Sequence, residues 1–282
     1  MDWSRLKRCD ELQNRELGHC TCFIHTEHRW VLPILRWAQE EARVPSPVAL
    51  LLFDAHTDST TPKCIRELER LRAKRFSADD LLRVCSEQLS ERDDDWLKAG
   101  MELGLIGDAV VLGVSSGNFL QPHECVYKDH VGKEHTIVAM GHPGDEFGHQ
   151  GKLGNAGRVD EFAAGWRTLG WECSAAGVFR FAPNLGPVWL DVDLDSFVVH
   201  WDSFFLPWPA EVWEAKYLQE SSYACTRGWT GQRFFEELLS HAGLVTIARE
   251  PSCCGDSRKA AQILADVDKY LLAGAIGERA AG

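Results

Sequence analysis

The 282-residue chain has no long apolar run: its longest, such as residues 48–53, span six residues, whereas a bilayer-crossing helix needs about twenty. No membrane partner is expected. The first residues lack the apolar core of a signal peptide, so the expected location is cytoplasmic. Internal repeats, low-complexity tracts and a Ser/Gly linker are also missing, and residues 1–282 are therefore taken as a single domain. Positive charge is in deficit: 30 Lys and Arg stand against 42 Asp and Glu, a formal charge of −12. That balance argues against a nucleic-acid partner and mildly for a basic one. The ten cysteines contain no paired CxxC set, which points to free thiols in a reducing compartment. His19-Cys20-Thr21-Cys22 with His25 has the residue types for one metal, but a half-buried strand accounts for it more simply.

What is present is a set of short Val-, Ile-, Leu- and Phe-rich runs at 20–24, 48–53, 109–114, 188–192 and 244–248, with a sixth at 135–140. Continuous apolar runs without strict alternation suit strands buried on both faces of a parallel sheet. Helical spacing is found between them at 31–42, 62–75, 77–89, 157–169, 230–241 and 257–272, and Ser77-Ala78-Asp79-Asp80 has the form of a helix start. The expected fold is an α/β three-layer sandwich with a mostly parallel sheet. The stretch 118–156, rich in Gly and His, has the character of a long loop.

Polar residues follow each strand. Glu27-His28 comes after the first, Asp54-Ala55-His56-Thr57-Asp58 after the second and Gly117-Asn118 after the third. Asp191-Val192-Asp193-Leu194-Asp195 ends the run from Val188, and Arg249-Glu250 follows the last. In a parallel sheet these ends share one edge, where α/β folds place their ligands. Alternation sends Asp54 and His56 to one side, and the chain must turn for Asp58 to join them; Asp195 joins Asp191 and Asp193 only if the strand continues. Five carboxylates and two imidazoles at one edge repel unless a cation neutralises them, and a donor set without thiolate suits Mn(II). So many donors favour two ions over one.

Phe53-Asp54-Ala55-His56-Thr57-Asp58 with Leu190-Asp191-Val192-Asp193 resembles the two manganese motifs of the arginase, agmatinase and deacetylase superfamily. With Glu27-His28, Val31-Leu32-Pro33, Gly117-Asn118-Phe119 and Thr246-Ile247-Ala248-Arg249, the likeness is closer to the peptide arginases of ribosomal peptide biosynthesis, and it runs over about residues 23–272. Those enzymes convert arginine side chains of a precursor peptide to ornithine. The resemblance implies an arginase-like fold and two Mn(II) ions that activate water for attack on the guanidinium carbon. It implies that His28, Asp54 and Asp58 bind one ion and His56 and Asp193 the other, with Asp54 and Asp191 shared. Asp195 has no direct counterpart in free-arginine enzymes and would orient His56 or another ligand. Glu250 would hold the guanidinium, Asn118 would contact substrate, and His123 would be the proton donor, with His130, His142 and His149 as alternatives. Lys63-Cys64-Ile65-Arg66-Glu67-Leu68 is helical in character where free-arginine enzymes clamp an amino acid's carboxylate, which fits a peptide substrate.

Three rivals stand beside this one. A deacetylase or other amidohydrolase of the superfamily usually keeps fewer carboxylates. A metallophosphoesterase would need Gly-Asp-x-x-Asp and Gly-Asn-His motifs, and Gly107-Asp108-Ala109-Val110-Val111 and Gly117-Asn118-Phe119 do not supply them. A silent metal-binding interaction protein is the third. Trp189, Trp201, Trp208 and Trp213 bracket the second metal motif, and the apolar stretch 201–209 suits a peptide groove, core packing or a homo-oligomer contact.

Overall fold

The apolar runs become strands because only a sheet covered on both faces can bury every residue of such a segment. The computed structural model describes residue 6 and residues 12–114, 123–141, 171–173, 179–181, 187–201, 204–219 and 230–277. The strands are β1 (Gln13–Leu17), β2 (Cys20–His25), β3 (Val48–Phe53), β4 (Ile106–Leu112), β5 (His123–Lys128), β6 (Glu134–Met140), β7 (Trp171–Cys173), β8 (Phe179–Phe181), β9 (Val188–Asp193), β10 (Val198–Trp201), β11 (Phe204–Pro207) and β12 (Ala242–Ala248). The helices are α1 (Val31–Glu40), α2 (Ile65–Lys74), α3 (Ala78–Glu87), α4 (Trp96–Glu102), α5 (Ala210–Trp213), α6 (Gly231–His241), α7 (Pro251–Cys254) and α8 (Ser257–Tyr270). The expected helix at 157–169 lies outside the described residues.

Eight strands form one sheet in the order β1-β2-β12-β9-β3-β4-β6-β5. The six inner strands are parallel, and β1 and β5 close the edges antiparallel. Side chains alternate between two cores. Leu51, Phe53, Leu190, Val192, Val245 and Ile247 pack on one face with Phe234 and Phe235 of α6 and Ile263 and Leu264 of α8. Leu50, Leu52, Trp189 and Leu244 pack on the other with residues of α1, α2, α3 and α4. The protein is therefore α/β with a mostly parallel sheet and helices on both faces, an arrangement compatible with a three-layer sandwich.

Local chemistry sets the element ends. Ser77 caps α3 with a reciprocal pair: its hydroxyl accepts from the Asp80 N–H at 3.3 Å, and the Asp80 carboxylate accepts from the Ser77 N–H at 2.8 Å. Lys63 and Cys64 lead into α2, so helix follows Pro62 as the sequence suggested. The Cys20 and Cys22 side chains are buried in strand β2 among apolar neighbours, in keeping with the strand reading of that segment. The described cysteines are free thiols, and no described helix is long and apolar enough to cross a membrane.

The Trp-rich stretch divides. Trp208 and Trp213 are core residues, packed with Phe197, Tyr217 and Tyr270 at ring separations of 4.7 to 5.5 Å. The hairpin of β10 and β11 instead exposes Val199, Phe204 and Leu206.

Candidate metal centre

β2, β12, β9 and β3 are neighbours in the sheet, so the residues at their C-terminal ends meet at one edge. From β2 the chain enters a short 3-10 turn whose first residue is His28, fully buried. Its Nε2 lies 2.6 Å from Asp191 Oδ2. Its Nδ1 is 3.1 Å from carboxylate oxygens of both Asp58 and Asp193, and 3.7 Å from Asp54. One imidazole thus faces four carboxylates from two strand ends.

β3 stops at Phe53, and Asp58 then takes a left-handed conformation with φ of 43°. That is the turn needed to bring its carboxylate back beside Asp54. Trp96 of α4 receives it, donating its indole N–H to Asp58 Oδ2 at 2.5 Å while its ring lies 4.6 Å from the His28 ring. His56 points to the same edge but is 46 % exposed at its side chain, the open member of a buried set.

β9 ends at Asp193, and the strand does not continue to Asp195; a 3-10 turn, Leu194–Phe197, takes over. Asp193 caps that turn by accepting from the Asp195 N–H at 3.1 Å. The turn still brings Asp195 in. One of its oxygens accepts from the Ala55 N–H at 3.1 Å and the other lies 2.9 Å from His56 Nδ1. Asp195 therefore contacts His56 and the backbone of the first motif, the position expected of a residue that orients a ligand.

Glu250 follows β12 with φ of 32°, left-handed and strained for a residue other than glycine. Its Oε1 accepts from the His28 N–H at 3.2 Å. Donor atoms of His28, Asp193 and Glu250 lie within 4.8 Å of one another, as do those of His28, Asp54 and Asp58, and of Asp54, His56 and Asp195.

The electrostatics show what this packing costs. Burial and then the charge of Asp58 hold the Asp54 carboxyl well above the usual range. Burial and Asp195 push Asp193 up to about 7, and burial and Asp193 push Glu250 up to about 9. His56 is raised to about 12, first by the Asp195 carboxylate 2.9 Å from its Nδ1 and then by Asp54. Burial acts to neutralise His28, but the charge of Asp191 and bonds to its carboxylate neighbours outweigh it and raise the imidazole. The cluster therefore retains protons in the absence of another cation. Asp54 Oδ2 is buried with no hydrogen-bond donor. A divalent ion fits both facts: it replaces the protons and serves the orphaned oxygen.

The structure thus brings together His28, Asp54, His56, Asp58, Asp191, Asp193, Asp195 and Glu250. It does not bring His123 to them. His123 starts the edge strand β5, exposed and three strand spacings from β3, about 14 Å at the usual separation. His130 is engaged elsewhere, its backbone N–H and ring meeting Glu102, which also accepts from the Tyr127 hydroxyl. Asn118, His142 and His149 lie outside the described residues.

The sequence reading gave no role to Trp96 or Thr246. Thr246 is fully buried on β12, accepts the Trp189 indole N–H at 2.6 Å and donates to Asp191 Oδ1 at 2.5 Å. A hydroxyl amid the apolar run Leu244-Val245-Thr246-Ile247-Ala248 was the available signal. Trp96 follows an acidic turn with no catalytic pattern and had none. The Cys253 sulfur lies within 4.8 Å of donor atoms of Asp195 and Glu250. No protein-family model and no curated protein matches the chain.

Proposed function

We propose that the protein is a binuclear manganese hydrolase that converts arginine side chains of a precursor peptide to ornithine with release of urea, in an arginase-like fold. The observation that carries the proposal is the meeting of His28, Asp54, His56, Asp58, Asp191 and Asp193 at one sheet edge, in the residue types and order of the manganese motifs they resemble. His28, Asp54 and Asp58 would hold one ion and His56 and Asp193 the other, with Asp54 and Asp191 shared. When bound, the ions would lower the pKa of water enough to supply hydroxide at neutral pH.

The chain's own residues have distinct tasks. Asp195 keeps the His56 ring in one orientation through Nδ1, leaving Nε2 as its free donor atom. Glu250 offers a carboxylate beside the cluster that can pair with a planar guanidinium through two charge-assisted hydrogen bonds. The strain of its backbone is consistent with such a fixed position. His123 stands on edge strand β5, three strands from β3, so the proposal assigns protonation of the leaving amine to another group. Half-exposed His56 marks the side from which a peptide-borne arginine would enter.

The test is incubation with Mn(II) and arginine-containing peptides, including a cognate precursor if one is encoded nearby, followed by mass spectrometry. Each converted residue should lose the mass difference between arginine and ornithine, with urea detected in equal amount. Absence of both across varied peptides, with metal verified in the protein, would refute the proposal.

A further inference from the structure

Thr246 occupies a position where a hydroxyl is costly. It lies mid-strand in β12, fully buried, with Leu244 and Ala248 on either side along its own face. Burying a hydroxyl without partners is unfavourable, so its bonds need an account. Their direction is fixed by chemistry. The Trp189 indole can only donate, so Thr246 Oγ1 accepts there at 2.6 Å and its single proton must go to the Asp191 carboxylate. Register makes the contact direct, because Thr246 and Asp191 are opposite one another on paired strands. With Oδ1 taken by Thr246 and Oδ2 against His28 Nε2 at 2.6 Å, the plane of the Asp191 carboxylate is set from both sides.

We propose that Thr246, backed by Trp189, is a positioning residue that presents the Asp191 carboxylate to a bound metal ion. This rests on the reading of Asp191 as a metal ligand. The relay acts on the oxygen that His28 does not touch, and it restricts rotation of the carboxylate out of that plane. Partners of this kind typically change metal affinity by about 10- to 100-fold.

The experiment measures Mn(II) affinity by titration with electron paramagnetic resonance detection of free ion, on the full chain. It compares wild type with Thr246→Val, Thr246→Ser, Asp191→Asn, Trp189→Phe and the Trp189→Phe/Thr246→Val pair, and records the metal-free melting temperature of each. Thr246→Val should weaken Mn(II) binding about 10- to 100-fold and Thr246→Ser should restore it to within a few-fold. The double variant, which leaves no indole N–H unpaired, should recover melting temperature relative to Thr246→Val without recovering affinity. A merely structural threonine would move the melting temperature and leave the affinity alone. Wild-type affinity in Thr246→Val, or in the double variant should Thr246→Val fail to fold, overturns the proposal while loss of binding in Asp191→Asn upholds the metal reading. Unchanged binding in Asp191→Asn, or none in wild type, overturns both.

Discussion

Replacing Asp193 by Asn should shift the stability of the metal-free protein in the variant's favour as pH rises, and weaken its metal binding. Asp193 is fully buried and its carboxyl is raised to about 7 from an ordinary 3.8, by burial and by Asp195. A raised acid takes up a proton on folding between those two values. Its cost to stability is absent below the unfolded pKa, grows as pH rises through the window and is complete above about pH 7. Linkage puts that cost at roughly 4 kcal/mol at pH 8 and roughly 2 kcal/mol at pH 5. Asparagine does not titrate, so it removes the pH-dependent part whatever fixed penalty it brings through the lost contact with His28. The stability difference between variant and wild type should therefore shift in the variant's favour by about 2–3 kcal/mol from pH 5 to pH 8. With an unfolding entropy of about 2.1 cal/mol/K per residue, that is about 4–5 °C of melting temperature for this chain. The assay is calorimetry in EDTA at both pH values, repeated with Mn(II), which should raise the wild type and leave the variant nearly unmoved. A variant-minus-wild-type difference that stays constant between pH 5 and pH 8 would refute the electrostatic account.

The same proton store should be visible on metal binding. Because Asp193, Glu250, His28 and His56 are all raised, Mn(II) must displace protons; isothermal titration in buffers of different ionisation enthalpy should show net release, with affinity rising from pH 6 to pH 8. Asp195→Asn should bring His56 down from about 12 toward its ordinary value, read from the ring proton shifts by NMR, and an unmoved His56 would deny Asp195 its orienting role. If the proposed function holds, Glu250→Gln should keep the metal and lose arginine hydrolysis by two or more orders of magnitude; loss of metal instead would make Glu250 a ligand. Away from the site, Gly231→Ala should lower stability by about 1–3 kcal/mol, since its added carbon would lie 2.5 Å from the Lys216 carbonyl oxygen; an unchanged melting temperature would refute the overpacking argument.

The strands that carry the site were legible because burial on both faces leaves a sequence signature: an unbroken apolar run such as residues 48–53 has few other uses. The edge strands were not. β1 pairs on one side only and exposes polar Gln13, Asn14 and Arg15 in part, and the β5 run His123–Lys128 is mostly exposed, so neither displays a periodic apolar face. α4 is seven residues long and nearly all buried, too short for an amphipathic period to emerge. For His123, nearness in sequence to Asn118 stood in for nearness to the site, whereas the strand order puts β5, which begins at His123, at the far edge of the sheet.

Within the site, the legible residues are those whose spacing is local, and the illegible ones act across strands. Asp54, His56 and Asp58 announce themselves in five consecutive positions, but Thr246 meets Asp191 only through the pairing of β12 with β9, a relation no single segment contains. Asp195 shows the point most directly. Alternation alone required a continuing strand to bring it in, yet the strand ends and a 3-10 turn capped by Asp193 delivers the same side chain by another route. The capping bond that ends β9 comes from one oxygen of a proposed ligand, while the other oxygen faces His28 at 3.1 Å. Asp193 thus shapes the backbone that carries Asp195 as well as facing His28. Substituting Asp193 should therefore disturb His56 through Asp195 as well as removing a proposed ligand, and asparagine, which keeps the capping oxygen, separates those two effects where alanine would merge them.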